Sequence, residues 1–330
     1  MKAAVINVSW PHYNLGAAKA ADWLRSEGYA VEELNGDPGM FLEADRVLLS
    51  VIFSWHAPIA REIALRMKGR ADVECGGPGV FALAHWWRKE TGLEIHSGLD
   101  PRFEMQRGEY RMTFASRGCP VGCWFCDVPK MEGKTFTKMP DFQLAPILCD
   151  NNLSSLPVDF QEHIVRRYQD GAVPLLDANS GFEPKAFDIE TRHRWEPILR
   201  GPWRFALDEM KELEDVRRMM GLLSDLPPGK KRVYVLIGNE PIAACYERMR
   251  KVIEWGGEPY SQPVMNLNAL EHRPRVRFDW TEQKLGDFAR YVNRWIWRKT
   301  PLWDYSNRLG EAPPFAALAA APRAPGATGA

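Results

Sequence analysis

The segment Cys119-Pro-Val-Gly-Cys123-Trp-Phe-Cys126 places three cysteines within one short stretch of a 330-residue chain. Thiolates are the protein ligands that hold iron–sulfur clusters and zinc. Three thiolates from one turn-rich segment can bind three corners of a cubane iron–sulfur cluster and leave the fourth iron without a protein ligand. Such an open iron is a binding position for a substrate or a cofactor.

Other sites fit this cysteine pattern less well. A structural zinc site normally has four ligands, supplied as two closely spaced pairs. The remaining cysteines, Cys75, Cys149 and Cys245, are single and scattered along the chain. A disulfide framework is disfavoured because cysteine is sparse and because the first residues do not resemble a signal peptide. We therefore favour an iron–sulfur cluster over zinc, a redox pair or disulfides.

The Cys-x3-Cys-x2-Cys spacing, with the aromatic residue Phe125 before the last cysteine, resembles the signature of the radical S-adenosylmethionine (radical SAM) superfamily. This resemblance implies that Cys119, Cys123 and Cys126 ligate a [4Fe–4S] cluster whose open iron chelates the amino and carboxylate groups of SAM. It further implies that one electron from the cluster cleaves a C–S bond of SAM and produces a 5′-deoxyadenosyl radical.

The composition limits the partners of the chain. The 43 basic residues balance the 43 acidic ones, so no global charge favours nucleic acid or an acidic membrane. A local basic cleft remains compatible with this balance, and nucleic-acid binding is left open. The longest apolar stretch, residues 47–53, is too short to span a bilayer and predicts a buried strand. We expect no membrane association and a cytoplasmic location.

Residues 1–108 alternate between strand and helix patterns. This alternation predicts an open parallel sheet with helices on both faces, which is a Rossmann-like (flavodoxin-like) domain whose ligands bind at the carboxyl ends of the strands. A glycine-rich turn at Gly76-Gly-Pro-Gly79 follows the fourth strand. The predicted strands are 3–9, 31–34, 46–53, 72–75 and 94–96, and the predicted helices are 17–27, 58–68 and 80–91.

Residues 109–310 repeat the alternation six times, with polar residues at almost every strand end. Six β/α units predict a partial (β/α)6 barrel of the TIM type, with chemistry at its carboxyl-terminal mouth. Residues 311–330 are rich in Ala, Pro and Gly and predict a disordered tail. The predicted barrel strands are 111–116, 144–150, 173–179, 203–207, 232–237 and 259–265, and the main predicted helices are 158–169 and 282–298.

The resemblance extends to these strand ends. It implies that Asp150 and Asn152 contact the SAM amino group and that Asn179 contacts the ribose or carboxylate. It also implies that Asp208 binds SAM and that the backbone of Ile237 and Gly238 abuts the adenine ring. Each match alone also fits an ordinary structural role, because Asp after a strand often caps a helix and Gly often makes a turn.

The amino-terminal domain resembles the cobalamin-binding domain that precedes the barrel in many radical SAM enzymes. The Asp-x-His-x-x-Gly motif that supplies an axial histidine in other cobalamin domains is absent, although His12 and His56 lie at strand ends. Cobalamin binding is therefore left open. Methylthiotransferases carry three further cysteines in this domain, and the single Cys75 excludes that activity.

The sequence thus predicts a radical SAM enzyme, of methyltransferase or isomerase type, that methylates or rearranges an unactivated carbon. Its expected partners are a small-molecule or nucleoside-type substrate and an electron donor such as flavodoxin or ferredoxin. One alternative is radical modification of a nucleobase or nucleoside without cobalamin, supported by the basic and aromatic segments 192–195 and 294–298. Another is a non-catalytic iron–sulfur module. No catalytic side chain is identified.

Overall fold

The computed structural model describes residues 1–320 with the exception of Ser97, Leu99, Ser180 and Leu309. The chain forms two compact units. The first comprises Met1–Gly181, Glu190–Gly201 and Asn266–Arg273, and the second comprises Phe182–Ile189, Pro202–Met265 and the chain from Pro274 onward. Within the described residues, every helix is too short or too polar to cross a bilayer.

The first unit contains a five-stranded parallel sheet. Its strands are β1 (Lys2–Asn7), β2 (Ala30–Asn35), β3 (Arg46–Ser50), β4 (Asp72–Gly76) and β5 (Ile95–His96). Their order is β2-β1-β3-β4-β5, which is the flavodoxin-like order. Strand β1, which pairs with β2 on one side and β3 on the other, is buried at every position after Lys2, as expected for a strand covered on both faces.

Helices cover both faces of this sheet. They are α1 (Leu15–Ser26), α2 (Ala57–Met67), α3 (Pro78–Phe81), α4 (Ala84–Thr91) and α5 (Pro101–Glu104). Alternate residues of β1 join different cores, since Ala3 and Val5 pack with α1 while Ala4 and Ile6 pack with α2 and Trp87. The helix predicted over 80–91 is divided into α3 and α4, because the chain turns at Ala82–Leu83.

The rest of the first unit carries the cysteine segment. Strands β6 (Met112–Thr113), β9 (Ile147–Leu148) and β10 (Asp177–Ala178) form a parallel sheet in the order β10-β9-β6. Strands β7 (Ser116–Arg117) and β8 (Thr137–Lys138) form an antiparallel pair. The helices of this part are α6 (Val128–Met131), α7 (Val158–Asp170) and α8 (Ile189–Trp195).

The second unit is built on a three-stranded parallel sheet of β11 (Trp203–Leu207), β12 (Lys231–Ile237) and β13 (Glu258–Pro263), in that order. Its helices are α9 (Leu213–Leu222), α10 (Ile242–Glu254) and α11 (Glu282–Asn293). Short 3-10 helices along the whole chain are Ser54–His56, Pro184–Ala186, Met210–Glu212, Pro228–Lys230, Ile296–Arg298, Leu302–Asp304 and Ala316–Ala320.

All six strands predicted for residues 109–310 are present, but they form two sheets of three rather than one continuous sheet. The compact units do not coincide with the predicted domains, because the first unit contains both the five-stranded sheet and the cysteine segment. The prediction of a disordered tail from 311 does not hold for 311–320, where Phe315 is only 2% exposed and packs on Phe288. Residues 321–330 lie outside the described chain.

Candidate cluster-binding site

The cysteine segment is a loop closed at its base by β7 and β8. Ser116 pairs with Lys138 and Arg117 with Thr137, so the chain leaves and returns at one place. Three glycines in the loop have positive φ, +87° at Gly118, +69° at Gly122 and +94° at Gly133. A side chain at Gly118 would place its Cβ 2.2 Å from the Thr135 carbonyl oxygen, so only glycine fits there.

The three loop cysteines differ from the other three in accessibility. Cys119, Cys123 and Cys126 are half-buried, whereas Cys75, Cys149 and Cys245 are buried, and none of the six forms a disulfide. Burial raises the pKa of the Cys126 thiol, and the neighbouring Cys119 adds to this effect. The backbone of the loop is held by two hydrogen bonds, from Cys126 N to Cys123 O at 3.0 Å and from Cys119 N to Gly133 O at 3.2 Å.

The donor set suits a cluster better than a single ion. In the described part of the chain, no three His, Cys, Asp or Glu side chains converge so that they could hold one metal ion. A mononuclear zinc site needs such convergence. In a cubane cluster the thiolates stand farther apart than around a single ion, because each thiolate binds a different iron of the cube. The three half-buried thiols of one loop therefore fit a [4Fe–4S] cluster.

The Glu132 carboxylate binds three groups near the start of the cysteine loop. One oxygen of its carboxylate, Oε2, accepts hydrogen bonds from Gly118 N at 3.0 Å and from Asn151 Nδ2 at 2.7 Å. The other oxygen, Oε1, forms an ion pair with Arg117 at 2.7 Å. The guanidinium of Arg117 also lies 4.0 Å from the centre of the Phe114 ring. One carboxylate thus joins the first residues of the loop to Asn151, which follows β9.

Asp150, predicted to contact SAM, is completely buried with 0% exposure. Its Oδ2 accepts a hydrogen bond from Ala115 N at 2.8 Å, and its Oδ1 accepts one from the Ser116 hydroxyl. Burial raises the pKa of Asp150 to about 6, although both hydrogen bonds oppose the rise. Both carboxylate oxygens are therefore bonded within the chain and neither is exposed to a ligand.

The other predicted SAM-binding residues of the first unit differ in exposure. Asn152 is buried, and its Oδ1 accepts a hydrogen bond from Ser155 N at 3.1 Å. Asn179 is exposed after β10, and its backbone N donates to Leu148 O at 2.9 Å. Phe125 is half-buried and lies edge-on to Trp124, with ring centres 5.4 Å apart. Asn179 and Phe125 are thus the more accessible members of this set.

The remaining predicted residues lie in the second unit. Asp208 follows β11, and burial, together with the charges of Glu212 and Glu183, raises its pKa to about 7. Ile237 is completely buried and its carbonyl oxygen accepts a hydrogen bond from Val264 N at 2.9 Å. Gly238 has a φ of +92°, which ends β12 in a turn.

A buried arginine organises the strand ends of this unit. Arg248 on α10 is completely buried, and its Nη1 donates to Leu207 O at 2.6 Å. Its Nη2 donates to Asn239 Oδ1 at 3.2 Å. Its Nε lies 3.0 Å from Glu240 Oε2, an ion pair that is not aligned as a hydrogen bond. Arg248 therefore fixes the carboxyl ends of β11 and β12 beside Asp208.

The carboxyl edge of the five-stranded sheet carries the two histidines noted in the sequence. His56 Nδ1 lies 3.0 Å from Ser9 Oγ, which also accepts a hydrogen bond from Ile52 N at 2.9 Å. Burial lowers the pKa of His56, and His12 adds to this effect. His12 lines a cavity of about 380 Å³ at the ends of β1 and β2, together with Trp10, Tyr13 and Arg111.

Sequence reasoning missed the residues that hold the loop. Glu132 and Asn151 lie close in the sequence to Cys126 and Asp150, but nothing in their spacing distinguishes residues that hold a loop from solvated loop residues. A carboxylate that satisfies several donors is recognisable only when the fold brings those donors together. The predicted residues themselves divide between the units, with Asp208, Ile237 and Gly238 in the second and all the others in the first.

Comparison with protein-family models and with curated protein sequences gives no match. Comparison with solved structures gives a match to the radical SAM methyltransferase TsrM from Kitasatospora setae, whose structure contains cobalamin and a [4Fe–4S] cluster. The TM-score is 0.60 at 13% sequence identity, over 87% of this chain and 78% of that one. The resemblance inferred from the sequence is therefore confirmed at the level of the fold.

Proposed function

We propose that the chain is a radical SAM enzyme that methylates or rearranges an unactivated carbon. The observation that carries the proposal is the presentation of Cys119, Cys123 and Cys126, half-buried and without disulfides, on a loop fixed by hydrogen bonds to the Asp150 and Glu132 carboxylates. These three thiolates would hold a [4Fe–4S] cluster. When bound, the cluster supplies the electron that cleaves SAM to methionine and a 5′-deoxyadenosyl radical.

The protein residues would bind and orient SAM and shield it from water. We assign this role to Asn152, Asn179, Asp208 and the Ile237–Gly238 backbone, with Phe125 beside the cysteines. Asp150 is left out of this set because its carboxylate is buried and bonded within the chain. A flavodoxin or ferredoxin is the proposed electron donor, and a small molecule or nucleoside is the proposed substrate.

The proposal includes a fold assignment, with a cobalamin-type domain in residues 1–108 and a partial (β/α)6 barrel in residues 109–310. Within each of the two sheets the strands neighbour one another in chain order, β6-β9-β10 and β11-β12-β13, which supports a partial (β/α)6 barrel. The flavodoxin-like order of β1–β5 fits a cobalamin-type domain in residues 1–108. A reducing compartment such as the cytoplasm would keep all six cysteines as thiols.

Cobalamin is proposed as a second cofactor because the fold likeness is to a protein that contains it. The residues that would contact part of it are Trp10, His12, Tyr13 and Arg111, which line the cavity at the carboxyl edge of the sheet. When bound, cobalamin supplies a cobalt atom that can carry a methyl group. This edge is where open parallel sheets of this order bind their ligands.

The first test is anaerobic reconstitution with iron and sulfide. We expect about four irons per chain, and release of 5′-deoxyadenosine and methionine when SAM and a strong reductant are added. Alanine at Cys119, Cys123 or Cys126 should abolish both results, whereas Cys75→Ala should retain them because Cys75 is a buried core thiol. One bound zinc, or a full cluster in each loop variant, contradicts the proposal. A cluster that cycles between redox states without cleaving SAM favours a non-catalytic module.

The second test is the visible spectrum of protein purified anaerobically from cells supplied with hydroxocobalamin. Corrinoid retained at one per chain supports methylation or rearrangement. A spectrum of the cluster alone removes cobalamin from the proposal and favours nucleoside modification without it.

A further inference from the structure

The segment that leads into the cysteine loop has an unusual set of backbone partners. Between β6 and β7 the chain leaves the parallel sheet, and Ala115 N donates to the Asp150 carboxylate instead of to a strand. Ser116, also buried, donates its hydroxyl hydrogen to the same carboxylate. Ala115 O accepts a hydrogen bond from Met139 N at 2.8 Å, so this residue is held on both sides.

The next residues are held by the neighbour of Asp150. Asn151 Nδ2 donates to Gly118 O at 3.3 Å and to Glu132 Oε2 at 2.7 Å. Gly118 N donates to the same Glu132 oxygen at 3.0 Å. Both backbone groups of Gly118, the residue before the first cysteine, are therefore bonded to side chains. Asp150 and Asn151 act on one continuous stretch, residues 115–118.

We propose that Asp150, Asn151 and Glu132 are positioning residues that set the conformation of the cysteine loop, and that Asp150 acts on SAM only through this loop. The inference rests on the proposed function and deepens it. It replaces the expectation that the Asp150 carboxylate contacts the SAM amino group, because that carboxylate has no exposed surface and both its oxygens are already acceptors.

The two carboxylates respond differently to replacement by amides. In Asp150→Asn, the amide oxygen can accept from Ala115 N while the amide NH2 donates to the Ser116 hydroxyl, which can rotate. The arrangement survives without the charge. In Glu132→Gln, the new NH2 must face a donor, because Arg117, Gly118 N and Asn151 Nδ2 all donate. The amide is thus conservative at position 150 and disruptive at position 132.

The experiment compares Asp150→Asn, Asp150→Ala and Glu132→Gln with the wild-type chain after anaerobic reconstitution. The control is Asp159→Asn, an exposed carboxylate at the start of α7. Iron per chain, SAM affinity by equilibrium dialysis and the EPR spectrum of the reduced cluster with and without SAM are measured. Asp150→Asn should match wild type in iron content and keep SAM affinity within about twofold. Asp150→Ala and Glu132→Gln should both lose cluster and alter the EPR signal.

A readout that does not need the cluster separates this inference from the proposed function. Hydrogen exchange of the peptide covering residues 112–120 should be about tenfold or more faster in Asp150→Ala and Glu132→Gln, because Ala115 N or Gly118 N loses its carboxylate acceptor. If wild type binds no cluster but the two variants still exchange faster than wild type, the proposed function fails and the positioning role stands.

Two results overturn the inference. Full iron content in Asp150→Asn with SAM affinity reduced about tenfold or more would make Asp150 a SAM ligand. Wild-type iron content, EPR signal and exchange in Asp150→Ala would remove any positioning role.

Discussion

Two glycines of the cysteine loop, Gly118 and Gly122, differ in how much space they leave for a side chain. Gly118 and Gly122 both have positive φ, but Gly118 faces the Thr135 carbonyl while nothing lies within 4 Å of a Cβ at Gly122. The backbone conformation costs an alanine about 1–2 kcal/mol at either position. Only at Gly118 is a steric clash with the backbone added to this cost.

We therefore expect Gly118→Ala to displace the first turn of the loop and to lose most of its reconstituted iron. Gly122→Ala is the matched control, and it should keep its cluster with a loss of about 1–2 kcal/mol in unfolding free energy. Iron per chain and chemical denaturation of both variants check this. Equal iron content in the two variants would show that the Thr135 contact does not constrain the loop.

The cluster-binding cysteines could be predicted from the sequence because the spacing of thiol ligands is a local property. The environment of Asp150 is not local, since its partners lie 34 and 35 positions away in the chain. An aspartate at a strand end looks the same in the sequence whether it faces a ligand or a buried backbone amide. The position was therefore predictable and the partner was not.

Among the elements, the strands of the second unit follow the sequence more closely than β6, β9 and β10 of the first unit. β11 lies at the predicted residues 203–207, and β12 and β13 begin one residue earlier than predicted. By contrast, the strands predicted over 144–150 and 173–179 shrink to two residues each. Pro146 lies directly before β9, the middle strand of its sheet, and limits where β9 begins, because proline has no N–H to donate to a neighbouring strand. The apolar pattern therefore predicted where this strand lies but not its length.

Helices α7 and α8 are joined by one buried side chain. Gln161 Oε1 accepts hydrogen bonds from Trp195 Nε1 and Arg194, both at 3.0 Å. Its Nε2 donates to Leu156 O at 2.7 Å. Gln161→Leu removes these bonds in a buried place and should lower the unfolding free energy by about 2–3 kcal/mol. Glu162→Gln, one residue along α7 and half-exposed, is the control and should change stability by less than about 0.5 kcal/mol. Urea denaturation measures both, and similar midpoints would contradict the assigned role.

The molecule as a whole has equal numbers of acidic and basic residues. Some of its carboxyl groups nevertheless lie where burial disfavours the ionised form. Burial raises the pKa of Asp150 to about 6 and, with the charges of Glu212 and Glu183, that of Asp208 to about 7. A carboxyl whose pKa is higher in the folded chain holds its proton after the unfolded chain has lost it. Such a group makes the folded state less stable as pH rises from the unfolded pKa to the folded one.

Asp208 allows a direct test of this pH dependence. Between about pH 4 and pH 7 the folded chain binds more protons than the unfolded chain at this site, so its contribution to the unfolding free energy falls as pH rises and is constant above about pH 7. Asp208→Asn removes the titration. The variant should therefore gain stability over wild type, and the gain should be larger at about pH 8.5 than at about pH 6. Urea denaturation of both proteins at the two pH values measures it. A gain that is independent of pH would mean that the carboxyl does not titrate in this range, and a loss at high pH would mean that the ionised form is stabilised in the folded chain.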